Sequence, residues 1–192
     1  MKKILVGTHN QGKFKEISYL ISKKFNKISP KALKIPSPKE TGKTFKSNSL
    51  LKVNFFSKFV DYPVISDDSG LCIKSLKGKP GIYSARLAKD HGGFQNAMKH
   101  ILKKLKKEKN RSAVFVCSLS FKMPKKKPIS VIGKINGSIS NRILGKKGFG
   151  YDPIFIPKSS PITFGQMSKL KKMRMDHRFI AFKKLKKKIK TL

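Results

Sequence analysis

Acidic side chains are scarce in this sequence. Its 192 residues carry 9 Asp and Glu against 46 Lys and Arg, a formal net charge of +37. Arginine is scarce too, with 5 of the 46 cations. Arg is the side chain that forks onto phosphates and reads base edges, so a dedicated nucleic-acid reader would hold more of it. A lysine excess also follows from A/T-rich codons, and the charge fits either a functional basic surface or compositional drift. Tryptophan is absent, and the two cysteines, Cys72 and Cys117, stand alone in apolar stretches. They read as buried free thiols in a reducing compartment, not as a disulfide frame or a metal site, so a cytoplasmic protein is expected. Long apolar runs are missing as well. The opening run covers only Ile4–Val6, short of the roughly 7–15 residues of a signal peptide, and nothing approaches the roughly 18–20 of a membrane span.

What is present is a core. Hydrophobic residues make up 38%, with 14 Phe among them, which argues against a disordered basic tail. No repeat and no apolar-poor linker divides the chain. Residues 1–192 therefore read as a single domain, with 186–192 the only stretch resembling a tail. The acids are more informative than the bases, since each of the nine is a candidate for necessity. They are Glu16, Glu40, Asp61, Asp67, Asp68, Asp90, Glu108, Asp152 and Asp176, and two of them are adjacent.

The hydrophobic pattern predicts a strand over Lys2–Gly7, a turn, and a helix with Phe14, Ile17, Leu20, Ile21 and Phe25 on one face. Residues 27–43, with three prolines, read as mostly irregular. A helix is expected over 44–60 with Phe45, Leu51, Phe55 and Phe59 buried. A strand over Pro63–Ser66 should end at Asp67-Asp68-Ser69-Gly70, with Leu71–Leu76 extended beyond it. Phe94–Lys107 reads as a basic amphipathic helix, 112–121 and Ile129–Ile135 as paired strands, 145–153 as a glycine-rich loop, Ile154–Ile156 as a strand and His177–Ile189 as a last helix. Alternation of strand and helix makes the class α/β.

Five constellations could carry chemistry. Gly7-Thr8-His9-Asn10-Gln11-Gly12-Lys13 has the spacing of a phosphate-binding loop, except that Phe14 stands where that loop needs a magnesium-ligating hydroxyl. It offers backbone N–H groups at a helix start and a lysine for phosphate; the alternative is a plain turn with a solvated Lys. Asp67-Asp68 are like charges side by side, a repulsion that a divalent cation with phosphate and water ligands would resolve; an Asp-capped turn is the alternative. Glu40 is a lone acid in a proline-rich loop, fit for capping or ligation. In Gly148-Phe149-Gly150-Tyr151-Asp152-Pro153 the glycines expose an aromatic face suited to base stacking, with Asp152 able to accept from a base N–H, unless Phe149 is simply core. His177-Arg178 could read a purine edge or merely start a helix. Together these features suggest a magnesium-dependent enzyme acting on a nucleotide.

The set resembles the inosine triphosphate pyrophosphatase family. Matching stretches are Thr8–Lys13, Glu40–Phe45, Asn48 with Lys52, Ser66–Leu71, Gly78–Arg86, Gly148–Pro153 and His177-Arg178, in order from residue 7 to 178. The resemblance implies an elongated α/β fold with a long mixed sheet, two lobes flanking a nucleotide cleft, and a homodimer. It implies hydrolysis of ITP, dITP or XTP to monophosphate and pyrophosphate. By the same resemblance Thr8, Asn10, Lys13 and Lys52 hold the triphosphate, with His9, Gln11, Gly12, Ser69 and Arg86 also on the substrate. Glu40 and Asp68 bind Mg²⁺, and Asp68 acts as general base. Phe149 stacks on the base, with Gly150, Tyr151, Asp152, Lys172, His177 and Arg178 around it.

Some residues depart from the family pattern. Ser47 replaces a Glu, Ile73-Lys74 a Val-Asp pair, Gln166 a Glu, and Asp176 the Ser before His-Arg. Asp176 places a carboxylate beside the base-reading pair. Competing readings are a basic nucleic-acid binder on the same scaffold and a Maf-type nucleotide pyrophosphatase. Lysines scattered through every segment without interleaved aromatics suit only weak, non-specific nucleic-acid contact. The positive field would speed capture of anionic nucleotides.

Overall fold

A computed structural model describes residues 2–189. The expected α/β class is present, built on a six-stranded mixed sheet in the order β2 (Phe25–Ile28), β1 (Lys2–Val6), β3 (Val64–Ile73), β4 (Ser112–Lys122), β5 (Ile129–Ile139), β6 (Phe155–Pro157). Among the described residues no helix is long and apolar enough to cross a membrane. The chain packs as two compact units. The first holds the chain up to Asp68, Cys117–Gly133 and the part from Arg178 onward; the second holds Ser69–Val116 and Lys134–His177.

In the first unit, β1 (Lys2–Val6) leads into α1 (Gln11–Leu20) and returns as β2 (Phe25–Ile28). Asn10 stands in an extended conformation before α1, and its side chain accepts from the Lys13 amide at 3.0 Å, satisfying one of the helix's orphan donors. The helix ends at Leu20, so Phe25 does not continue its face; it opens β2 and is buried there instead. β1 pairs parallel with β2 and with β3 (Val64–Ile73).

Helix α2 (Phe45–Phe56) is shorter than the expected 44–60. A reciprocal cap starts it: the Thr44 hydroxyl accepts from the Ser47 amide, and the Ser47 hydroxyl accepts from the Thr44 amide, each at 3.0 Å. Ser47 thus does the work a Glu would do at that position. The buried face is Asn48, Ser49, Lys52, Val53 and Phe56. Phe45, Leu51 and Phe55 are half-buried, and Phe59, beyond the helix, is 50% exposed. Reading the face from phenylalanines failed because this helix turns polar residues inward.

β3 runs unbroken through Asp67-Asp68-Ser69-Gly70, where the sequence suggested a break. Beyond Ile73 the chain turns into a short 3₁₀ segment at Lys74–Leu76. β4 (Ser112–Lys122) and β5 (Ile129–Ile139) follow. Successive strand residues point to opposite faces, and the cores of this unit follow that rule. Ile4, Val6, Ile65, Cys117, Leu119 and Phe121 pack with α1 and with α6 (His177–Lys188). Leu5 and Val64 pack with Val53 and Phe56 of α2. Gly7 lies against the α2 layer: a Cβ there would come 2.3 Å from Ser66 Oγ and 2.5 Å from Phe56 Cδ2. Residues 186–188 are the last turn of α6, and 190–192 of the expected tail lie outside the described residues.

The second unit adds α3 (Ser84–Asp90), α4 (Phe94–Lys104), β6 (Phe155–Pro157) and α5 (Lys169–Met173). Its core gathers Leu71, Ile73, Ile101, Phe115, Phe155 and Phe164. β6 pairs antiparallel with β5, placing Gly137 opposite Pro157, where a Cβ would meet the Ile156 carbonyl oxygen. Cys117 is buried as expected of a core thiol, whereas Cys72 is only half-buried, and neither forms a disulfide.

Candidate active site

The loop after β1 gathers polar groups at the start of α1. The Thr8 hydroxyl accepts from the Asn10 amide at 3.2 Å, and His9 Nε2 lies 3.0 Å from the Ile35 carbonyl oxygen. Gln11 and Gly12 form the first turn. Phe14, standing where a phosphate loop would have its hydroxyl, packs against the α1 core. Lys13 points to β3, with its Nζ 3.1 Å from Asp67 Oδ2.

The two adjacent carboxylates do not share one environment. Asp67 lies on the α1–α6 side of β3 and Asp68 on the α2 side, as strand alternation requires. Asp67 is fully buried, with Arg178 Nε 3.8 Å from its Oδ2 in addition to Lys13. Burial pushes its pKa up, but Lys13, then Arg178 and Lys52, outweigh that and hold it at about 2. Asp68 accepts from Asn48 Nδ2 at 3.1 Å and lies 3.7 Å from Lys52 Nζ. Here burial dominates, Glu40 and Asp67 add to it, and Lys52 and Lys13 only partly oppose it, so its pKa is raised. The pleat sends the two carboxylates to opposite faces of the strand, and Lys13, Arg178 and Lys52 set positive charge beside them.

Lys52 also donates to Glu40 Oε1 at 2.8 Å. Burial disfavours its charge, yet Asp67, Asp68 and Glu40 together raise its pKa, so it stays an ammonium shared by Glu40 and Asp68. The Glu40 loop is tied to the same helix, since Asn48 Oδ1 accepts from the Gly42 amide at 2.8 Å. Among the described residues no three His, Cys, Asp or Glu side chains group as a metal site.

Arg178 is buried in this unit, its Nη1 donating to Glu16 Oε2 at 2.9 Å. Glu16 was not singled out from the sequence. The available signal was an acid three residues after Lys13, beside the core residue Ile17, in a chain with few acids. His177 belongs to the second unit, where its ring stacks on Phe115 with centroids 4.8 Å apart.

The second unit organises the glycine-rich loop. Asp152 Oδ2 accepts from the Phe149 amide at 2.8 Å and from Lys172 Nζ at 2.5 Å. Gly148 has φ of +75°, and a Cβ on it would come 2.1 Å from that oxygen, so glycine is required for the loop to close on Asp152. Lys172 Nζ also sits 4.7 Å from the centroid of the half-buried Phe149 ring, a cation–π distance. Tyr151 is buried, donates to the Ser84 carbonyl at 2.8 Å, and has its pKa raised by burial. Gly150 follows Phe149 with φ of +66°.

Thr8, Asn10, Lys13, Asp67, Asp68, Lys52, Glu40 and Arg178 thus fall in or beside one network of the first unit, and Phe149, Asp152 and Lys172 form one cluster of the second. Ser69 is half-buried on β3, one residue past Asp68. Arg86 is exposed on α3, its guanidinium 5.0 Å from the Tyr83 ring. Asp176 is buried, and Gln166 accepts from the Thr163 amide at 3.1 Å.

Comparison with known proteins gives a consistent picture. The model of the Ham1 family matches residues 4–188. A dITP/XTP pyrophosphatase of Caulobacter vibrioides is 39% identical over 186 residues, covering 96% of each chain. One of Oceanobacillus iheyensis is 40% identical over the whole of both chains. Among solved structures, the Staphylococcus aureus Ham1 protein superposes with a TM-score of 0.87 at 34% identity, covering 98% of both chains.

Proposed function

The chain belongs to the Ham1 family, and from that premise we propose that it hydrolyses dITP, ITP and XTP to monophosphate and pyrophosphate, clearing non-standard purines from the nucleotide pool. The observation that carries the chemistry is the opposed proton affinity of two neighbouring carboxylates, Asp67 held at about 2 and Asp68 raised. Environments that push paired acids apart assign their roles. Asp68 is the general base: it takes the proton of the attacking water as the water oxygen bonds to phosphorus and the α–β anhydride P–O bond breaks, releasing pyrophosphate. Asp67 remains ionised and holds Lys13 in place.

Phosphoryl transfer depends mostly on positioning and charge neutralisation. Lys13 and Lys52 supply cations, and Thr8, Asn10 and the first amides of α1 line the phosphate loop, with His9, Gln11, Gly12, Ser69 and Arg86 completing the proposed substrate set. The donor chemistry of Glu40 and Asp68 fits magnesium. Both are carboxylates, they already share a positive charge on Lys52, and this ion takes one or two carboxylates with water and phosphate oxygens. When bound, Mg²⁺ would neutralise phosphate charge and polarise a phosphoryl oxygen.

Phe149 stacks on the base, and Lys172 is the group that selects it. An ammonium only donates, so a 6-keto oxygen is accepted, while the 6-amino group of ATP leaves donor against donor, at a loss of about 1–3 kcal/mol. Gly150, Tyr151 and Asp152 shape that pocket with His177 of the same unit, while Arg178 serves the substrate set from the first unit, where it holds Glu16 and Asp67. Residues 1–192 act as one domain, since β3, β4 and β5 each contribute to both units. The enzyme works in the cytoplasm as a homodimer. The test is pyrophosphate release from ITP, dITP, XTP, ATP and GTP, with and without Mg²⁺. Turnover of ITP or XTP well above ATP, dependent on Mg²⁺, is expected; equal rates on ITP and ATP would refute the selectivity.

A further inference from the structure

On the α2 side of the sheet, positions that strand alternation usually fills with apolar side chains hold serines. Ser118 and Ser120 of β4 are both fully buried there, as is Ser49 on the inward face of α2. Ser49 Oγ lies 2.8 Å from Ser118 Oγ, 2.8 Å from Ser120 Oγ and 3.0 Å from the Lys46 carbonyl oxygen. Ser120 Oγ in turn lies 2.7 Å from Ser130 Oγ on β5.

Donor counting orients the whole set. A carbonyl only accepts, so the single Ser49 proton goes to Lys46. Both Ser49 lone pairs then accept, one from Ser118 and one from Ser120. Ser120, having given its proton away, accepts from Ser130. Each hydroxyl along the seam therefore has one assignment that satisfies every partner.

We infer that this oriented hydroxyl seam is what fixes α2 against β4, and that Ser49 is a positioning residue for the Asp68 site. Ser49 adjoins Asn48, which donates to Asp68, and stands three residues from Lys52 on the same buried face. Apolar contacts are non-directional and tolerate sliding, whereas hydrogen bonds to one hydroxyl from two strand residues on the same face hold a helix at one height and rotation. Displacing reacting groups by about 1 Å can lower a rate by about a hundredfold. The catalytic consequence rests on the pyrophosphohydrolase reading; the geometric one does not.

The test pairs Ser49→Ala with Ser57→Ala, which removes a hydroxyl bonded to the Asn54 carbonyl at the end of α2 and leaves the seam intact. Ser49→Ala leaves the Ser118 and Ser120 protons without their acceptor. It should lower kcat for ITP roughly tenfold with little change in KM, and shift the Asn48 side-chain amide resonance in a ¹⁵N–¹H spectrum. Ser57→Ala should do neither. In a Lys52→Met background Ser49→Ala should have almost no further effect on kcat, because its effect travels through that lysine and its neighbour. A lower melting temperature with unchanged kcat and an unmoved Asn48 resonance would overturn the inference, as would effects of Ser49→Ala and Lys52→Met that multiply. If Ser49→Ala does not fold, Ser118→Ala, which removes one donor and orphans none, decides by the same two readouts. If the wild type releases no pyrophosphate from any triphosphate, the proposed function fails and the Asn48 resonance alone decides.

Discussion

Replacing Asp67 with Asn should destabilise the protein by an amount the structure sets. The Asp67 side chain has no solvent exposure, and its carboxyl is held at about 2 instead of 3.8 by Lys13, Arg178 and Lys52 acting against burial. At about 1.4 kcal/mol per pKa unit, that depression is worth about 2 kcal/mol of folding stability at neutral pH. The variant also leaves a nearly buried lysine short of its partner, which pushes the loss toward the roughly 3–5 kcal/mol seen when one member of a buried ion pair is removed. Arg178 keeps Glu16, so the lower end is favoured. In urea, with a slope of about 2 kcal/mol per molar, the midpoint should fall by about 1 M. The sign with pH is fixed as well. A depressed carboxylate contributes fully above its unfolded pKa, near 4, and loses that contribution as pH falls through about 2. The gap between wild type and Asp67→Asn should therefore be constant from pH 5 to 8 and close below pH 4. A variant with the wild-type midpoint, or a gap that widens in acid, would refute this account of Asp67.

Asp68→Asn should do the opposite to stability and more to activity. Its carboxyl is raised chiefly by burial, so ionisation opposes folding at neutral pH. The variant should match or exceed the wild-type urea midpoint while pyrophosphate release from ITP drops by about 10²–10⁴. Gly7→Ala would press a methyl to 2.3 Å from Ser66 Oγ, and overpacking of this kind should lower stability by about 1–3 kcal/mol in the same denaturation experiment. Phe149→Ala should raise KM for ITP by about tenfold or more through lost stacking and leave the urea midpoint nearly unchanged; a KM equal to wild type would remove Phe149 from the base site.

Much of this was legible in the sequence because it is local. The strand, glycine turn and helix start at residues 2–20 follow from the hydrophobic pattern, and the scarcity of acids marked nine positions, among them Asp67, Asp68, Glu40 and Asp152. What was not legible depends on distant partners. β3 was cut short at Asp67 because Asp and Gly are poor strand formers; it continues because Lys13, Arg178, Lys52 and Asn48 supply partners from three helices. Arg178 and Glu16 are 162 positions apart, and no local pattern joins them. The inward face of α2 was misread because helical faces are found by apolar spacing, and this one presents Asn48, Ser49 and Lys52. Helix α3 was missed, with seven residues and no apolar stripe to announce it.

The pleat of β3 makes the strand a septum between two electrostatic compartments. One is a store of fixed charge, where Glu16, Arg178 and the fully buried Asp67 balance one another and Lys13 closes the set from its partly exposed edge. The other holds Asp68, whose basicity is set first by burial, with Lys52, Lys13, Glu40 and Asp67 acting on it. A single residue step separates the two, and Lys52 of α2 acts on both Asp67 and Asp68, so a change there would retune the base and the charge balance under α1 and α6 together. Surface lysines could also accumulate across the rest of the chain without entering either compartment.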